Sequence, residues 1–278
     1  MRVGICGYPG SGKSTVFAAL APGAGSDKGG LNYGNIKVPD SRVDQLSEVF
    51  SPKKKVYAEI TFMDVSGQAG GRYDAGAFPP DVVGHMRNAD VLVHVVRGFE
   101  SPMVAEDADI ARDESRFNDE LILLDTDILE RRGERFRKEN RKGGDVQVND
   151  RCVAYLEEGK ALRSLSLTDE EKATLTGIQL LSMTPVITLY NHSEEAWEEA
   201  DNKLKEIREQ GASAVSLGIC GSIEAEIAEM DDEDQGEFLE TLGLSEPGRN
   251  EFIRAAYRLL NYISFLTAGP DECRDRKS

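Results

Sequence analysis

What is scarce in this 278-residue chain narrows it before any motif is read. Its four cysteines, Cys6, Cys152, Cys220 and Cys273, are scattered and form no C-x-x-C pair. That excludes a disulfide framework and predicts buried thiols in a reducing cytoplasm. Three histidines without ligand spacing give no basis for a structural zinc site. No apolar run approaches the roughly 18 residues that a membrane-spanning helix needs. A strand beginning at residue 2 leaves no room for a secretory signal. Positive charge is also short: 33 Lys+Arg face 50 Asp+Glu, for a net charge of −17. A surface of that sign repels phosphate backbones, so DNA is not an expected partner. Any RNA contact must use a local basic patch.

Glycine, in contrast, is concentrated where it can act. After the apolar run "MRVGIC" comes "GYPGSGKST", residues 7 to 15, which matches G-x-x-x-x-G-K-S at Gly7, Gly12, Lys13 and Ser14. Glycines let successive backbone N–H groups turn inward, and the following helix adds the positive end of its dipole. The expected phosphate cradle is Gly10, Ser11, Gly12, Lys13, Ser14 and Thr15, with Lys13 on the β- and γ-phosphates and Ser14 on Mg²⁺.

Strand and helix patterns alternate on both sides of a long charged stretch. "RVGIC" and "ADVLVHVVRGF" read as buried parallel strands, "VYAEITFMDV" as one strand ending in an acid, and "PVITLYN" and "SAVSLGIC" as further strands. Residues 21 to 35 and 67 to 80 read as glycine-rich loops. "SRVDQLSEVF" reads as a helix, as do 194 to 210 and the residues on to about 265. The acidic run "EMDDEDQGE" reads as a solvated face or turn.

Between about 105 and 182 strand signals vanish. Phe117, Leu121, Leu124, Ile128 and Leu129 form one helical stripe, "GGD" at 143 to 145 breaks it, and a second helix follows. Thr168 and Glu171 have capping-box spacing for another helix. The expected fold is therefore α/β: a doubly wound, mostly parallel sheet of the P-loop NTPase, G-domain-like kind with an inserted α-helical hairpin. Residues 1–104 and 183–278 would form the nucleotide domain and 105–182 the insertion.

Four further pieces surround the cradle. Asp64 closes a strand with Gly67 three residues on, so Asp64 would hold a Mg²⁺ water and the Gly67 N–H would meet the γ-phosphate. Gln68 follows directly, where Ras-like proteins orient the attacking water. Asn191, His192 and Glu194 imitate the base-reading element of GTPases, with histidine for lysine and glutamate for aspartate. Cys220, Gly221 and Ser222 would lie against the purine, and the basic stretch 131 to 142 would form the hairpin tip.

Taken together the chain resembles the Obg-like ATPases, the YchF group of translation-factor-class P-loop NTPases. "GICGYPGSGKSTVFAAL", "ITFMDVSGQAGG", "YLEEGKALRSLSLTDEEKATL", "TLYNHSE" and "FLETLGLSEPGRNEFIRAAYRLLN" carry the resemblance from residue 1 to about 270. It implies ATP preferred over GTP and association with ribosomes, and with the site residues the leading reading is a Mg²⁺-dependent NTPase, slow without a partner. The resemblance tips Asn191, His192 and Glu194 toward adenine, while the basic charge of 131–142, against an acidic whole, makes that tip a candidate ribosomal RNA contact. The chain departs from the family pattern at Gly10, where an asparagine is usual, and at Gln68, where a hydrophobic residue is usual. Residues 21 to 38 lack the switch threonine, and the sequence ends at "PDECRDRKS", where the family continues into a TGS domain. Two other readings fit the same motifs: a nucleotide-binding scaffold with negligible turnover, and a small-molecule or nucleotide kinase using 131 to 142 as a lid.

Overall fold

The structure, a computed structural model, describes residues 1–26, 32–65, 78–102, 104–196, 202, 204, 205 and 215–277. Its centre is β1 (Arg2–Cys6), whose small and branched side chains fill both faces. β1 lies between β5 (Glu59–Asp64) and β6 (Val91–Gly98), parallel to both. β7 (Val186–His192) and β8 (Val215–Ile219) extend the parallel sheet on one side. On the other side β3 (Asn32–Lys37) and β2 (Gly25–Ser26) add antiparallel strands, giving seven in the order β2-β3-β5-β1-β6-β7-β8.

Successive strand residues point to opposite faces, and each face is covered. Val91, Val93 and Val95 pack with helix α1 (Lys13–Leu20) and with Phe252, Ile253 and Ala256. Leu92 and Met63 pack on the other face with α3 (Pro80–Met86) and with Phe117 and Leu121 of α4 (Ile110–Lys138). The layers are those of a doubly wound α/β domain, as the alternation predicts.

The hairpin is formed by α4 and α5 (Gly144–Glu157), with the reversal at Gly143, where φ is +147°. Phe117, Leu121 and Leu129 of the predicted stripe are buried, and Leu124 and Ile128 are partly buried. The stripe thus serves two cores: its N-terminal end packs on the sheet, and its C-terminal end packs with Val148, Cys152 and Leu156 of α5. The capping box at Thr168 and Glu171 opens α6 (Asp169–Thr174), with both reciprocal bonds made.

Three expectations are corrected. The 21–35 loop contains β2 and the start of β3, which pairs along the edge of β5 from Asn32 to Lys37. Glycine and asparagine hide that strand, because pairing with a ready sheet edge outweighs weak propensity. "VYAEITFMDV" is not one strand: β4 (Lys54–Val56) ends before it turns, and β5 begins at Glu59. β4 belongs to a second sheet of three strands, beside β10 (Glu272–Lys277), which pairs antiparallel with β9 (Ser264–Ala268). The acidic run is a solvated face, as read, borne on the end of α7 (Gly221–Glu229) and on α8 (Asp232–Thr241), where the Asp231 carboxylate caps Glu233 and Asp234. Of the predicted 194–210 helix, residues 194 to 196 are turn, 202, 204 and 205 are helical, and the others lie outside the described residues. A last helix, α9 (Gly248–Leu259), completes the sheet's cover. Among the described residues no helix is long and apolar enough to cross a membrane.

Candidate nucleotide site

The site lies at the carboxyl ends of β1, β5, β6, β7 and β8, where an open α/β sheet leaves its crevice. From Cys6 the chain turns through Gly7, Gly10 and Gly12, at φ +150°, +79° and +84°, into α1. All three glycines are required by crowding as well as by φ. A Cβ on Gly7 would stand 2.4 Å from the Val95 carbonyl oxygen, and one on Gly12 would stand 2.2 Å from Asn191 Nδ2. Gly12 stands at the N-cap of α1, and among the described residues no side chain caps that first turn.

Lys13 folds back over the loop, its Nζ donating to the Tyr8 carbonyl at 3.1 Å. Burial lowers the ammonium's pKa, and the negative charge of Asp64 opposes that shift. Asp64 is buried at the end of β5 and accepts from Asn32 Nδ2 at 3.3 Å. Ser14 and Thr15 are exposed on the first turn of α1, while Ser11 is buried. The motif's cation, hydroxyl and carboxylate thus come from consecutive turns of one loop and the neighbouring strand.

Asn191 is the keystone of the base side. At 4% exposure it donates Nδ2 to Ser11 O at 2.9 Å and accepts from the Gly221 N–H on Oδ1 at 3.0 Å. One amide therefore ties the phosphate loop, β7 and the β8–α7 junction together, and each end keeps capacity for one more bond. His192 is buried, with Nδ1 3.0 Å from Ser193 O. Ser222 donates to Glu194 Oε1 at 3.2 Å and lies 3.3 Å from Cys220 Sγ. Asn191, Glu194, Cys220, Gly221 and Ser222 are accordingly one connected group, gathered from two loops that are distant in sequence. Gly67 and Gln68 lie outside the described residues.

Motif reading missed the residues that leave β6. Val104 sits over the phosphate loop, its Cγ2 2.3 Å from where a Gly10 Cβ would stand, so the site has no room for a side chain at position 10. Phe99 Cζ lies 3.8 Å from a Cβ built on Gly12. Arg97, 4% exposed, holds this segment by donating to Phe99 O at 2.9 Å and to Glu106 O. A cavity of about 70 Å³ remains behind the loop, lined by Tyr8, Ser11, Arg97, Val104, Arg112 and Arg116 among others. The available signal was position alone: these residues follow a central parallel strand.

A glycine-bracketed anion loop before α1, a strand-end carboxylate and an asparagine bridging two base-side loops define a P-loop nucleotide-binding domain of the G-domain type. No family model matches the chain. It is 35% identical to the ribosome-binding ATPase YchF of Escherichia coli O157:H7, over 98% of this chain and 79% of that protein. It is 32% identical to the Bacillus subtilis protein of the same name, over 99% and 80%. The solved YchF GTPase of Schizosaccharomyces pombe superposes with a TM-score of 0.84 at 27% identity, covering all of this chain and 80% of that one. A GTP-binding protein from Pyrococcus horikoshii, at 16% identity and TM-score 0.57, shares the fold. The chain belongs to the YchF family.

Proposed function

We propose that the protein is a Mg²⁺-dependent NTPase that binds and hydrolyses ATP, with GTP the weaker substrate, and acts as a nucleotide switch on the ribosome in the cytoplasm. The observation that carries this reading is the convergence on one loop of Lys13, the uncapped first turn of α1 and the Asp64 carboxylate. Lys13 neutralises charge that develops on the β–γ bridge and γ-oxygens during phosphoryl transfer. One hydroxyl and one carboxylate, Ser14 and Asp64, fit the sparse protein donor set that Mg²⁺ takes when phosphates and waters complete its shell. Mg²⁺ bound there would screen the triphosphate. On this reading the Gly67 N–H would meet the γ-phosphate and Gln68 would orient water, and no side chain is needed as a covalent nucleophile.

The relatives' names divide between ATPase and GTPase, so the base preference rests on the residues. The guanine-reading element has a lysine and a shorter aspartate where this chain has His192 and Glu194, one methylene longer; these departures favour adenine, read by Asn191 and His192 with Cys220 and Gly221 alongside. Residues 105–182 form the partner-facing module.

Its tip contains two kinds of cation. Arg132 and Arg141 flank Phe136, 4.7 and 5.0 Å from the ring centroid, and brace the turn. Arg135, Arg137, Lys138 and Lys142 are exposed and make no ion pair among the described residues, which suits a ribosomal RNA backbone.

Titration calorimetry of Lys13→Ala with Mg-ATP and Mg-GTP tests the core of the proposal. Removing a charge-assisted contact of about 2–3 kcal/mol predicts an affinity loss of roughly a hundredfold. Unchanged affinity overturns the proposal, and equal wild-type affinities for the two nucleotides overturn the base reading.

A further inference from the structure

Behind the phosphate loop four aromatic rings close a circuit. Tyr8 stacks on Phe78 with centroids 6.0 Å apart and planes 9° apart. Phe78 meets Phe117 edge-on at 5.8 Å, Phe117 stacks on His94 at 4.0 Å, and His94 returns edge-on to Tyr8 at 6.0 Å. Each ring belongs to a different part of the molecule. Tyr8 is in the phosphate loop, Phe78 leads into α3, Phe117 is on the insertion helix α4 and His94 is in β6. Such pairs have preferred geometries, so moving one ring bears on the next. Glu120, almost one turn beyond Phe117, accepts the Phe78 N–H and so fixes backbone from the nucleotide domain onto α4.

Two observations connect this cluster to the loop. Lys13 Nζ is held by the carbonyl of Tyr8, the residue whose ring belongs to the circuit. A triphosphate that draws the ammonium onto its own oxygens releases that carbonyl and frees the Tyr8 backbone. Second, Tyr8 Oη, Ser11 Oγ, His94 Nε2 and Glu120 Oε2 are all buried without a hydrogen-bond partner among the described residues. Unpaired buried polar atoms are costly and uncommon. Four of them around one loop leave hydrogen-bonding capacity that a second arrangement of the cluster can use.

We propose that Tyr8, Phe78, Phe117 and His94, locked by Glu120, form the joint that passes nucleotide occupancy of the phosphate loop to the insertion helix, with Glu120 as its positioning residue. The proposal rests on the nucleotide reading above. Binding shifts Tyr8, the ring circuit transmits the shift to Phe117, and the Glu120 bond makes α4 and the Phe78 backbone move together. The hairpin root is thereby an output of the site.

Hydrogen exchange of the full chain, with and without a non-hydrolysable Mg-ATP analogue, tests the joint. In the wild type, analogue binding changes protection of the α4 amides around Phe117 to Asp125. Glu120→Ala binds the analogue within about threefold of wild type but loses that response, and its kcat falls about tenfold while KM holds. Glu120→Gln, which keeps an acceptor oxygen for the Phe78 N–H, restores both. If Glu120→Ala does not fold, Phe117→Leu takes its place with the same expected loss. A wild type that binds the analogue with no change in α4, or an Ala or Leu variant that keeps the change, overturns the joint alone. A wild type that binds no nucleotide overturns the functional reading and the joint with it.

Discussion

The two ends of helix α4 are built on opposite principles. At its root, Asp113, Glu114, Glu120 and Asp125 are buried against the sheet side, each at 9% exposure or less. Glu114 accepts from Thr188 of β7, Glu120 from the Phe78 N–H, and Asp125 from the Leu181 and Ser182 N–H groups at 3.0 and 2.6 Å. At its tip, most charges are exposed and basic, and several have no ion-pair partner among the described residues. The root uses its acidic groups to accept from backbone amides and one strand hydroxyl, where each bond fixes one element against another. The tip keeps cations in water, where they cost little and remain available to a partner. One helix therefore carries both a rigid attachment and an open contact surface.

The sharpest way to break the contrast is at the root. Asp125 is fully buried, and burial raises its carboxyl pKa against the hydrogen bonds from Ser182 and Leu181 and the charge of Arg87, 3.9 Å away. Asp125→Ala strands two buried N–H groups, so unfolding stability falls by about 2–4 kcal/mol, read by denaturant midpoints. A loss under about 0.5 kcal/mol would show that the attachment lies elsewhere.

Glu120 gives a smaller, pH-dependent effect. Burial pushes its carboxyl up from 4.5 to about 7. The groups facing it stay in one state through that range: burial pushes the Tyr8 hydroxyl and Cys6 thiol up and holds His94 neutral, at about 3. Between those two pKa values the native state holds a proton that the unfolded state has released. The stability due to this group is therefore present below 4.5 and is lost as pH rises through about 7. Glu120→Gln removes that slope, so the wild-type decline in stability between about pH 5 and 8 shrinks by about 2 kcal/mol. An unaltered decline would mean the carboxyl is not protonated in the native state.

The least effect on the fold is expected at the tip. Arg135→Glu with Lys138→Glu leaves stability within about 0.5 kcal/mol. Ribosome co-sedimentation weakens, and its salt dependence becomes shallower. A large stability loss would erase the distinction between the two ends.

Much of this was legible in the chain. The phosphate loop, the strand-end aspartate and the hairpin break at Gly143 are local signals, because the backbone conformation and the side chains that matter lie within a few residues. Asn191 was also visible as a candidate, but only its base-reading use was anticipated. Its bridge to Ser11 and Gly221 spans 180 and 30 residues and exists only once three strand ends meet. Val104 over Gly10, Asn32 on Asp64 and Glu120 on Phe78 are equally non-local, and none follows from spacing.

The sequence by itself determined that this chain folds as an alternating α/β domain with a helical insertion and a loop for phosphates. Hydrophobic period and glycine placement act over short distances and leave few alternatives. Tertiary structure alone decided that weak strands complete the sheet edge, that the end of the chain pairs with β4, and that the insertion is fastened by buried carboxylates. Those outcomes depend on which surfaces and unpaired amides the folded core presents, and no stretch of sequence contains that information by itself.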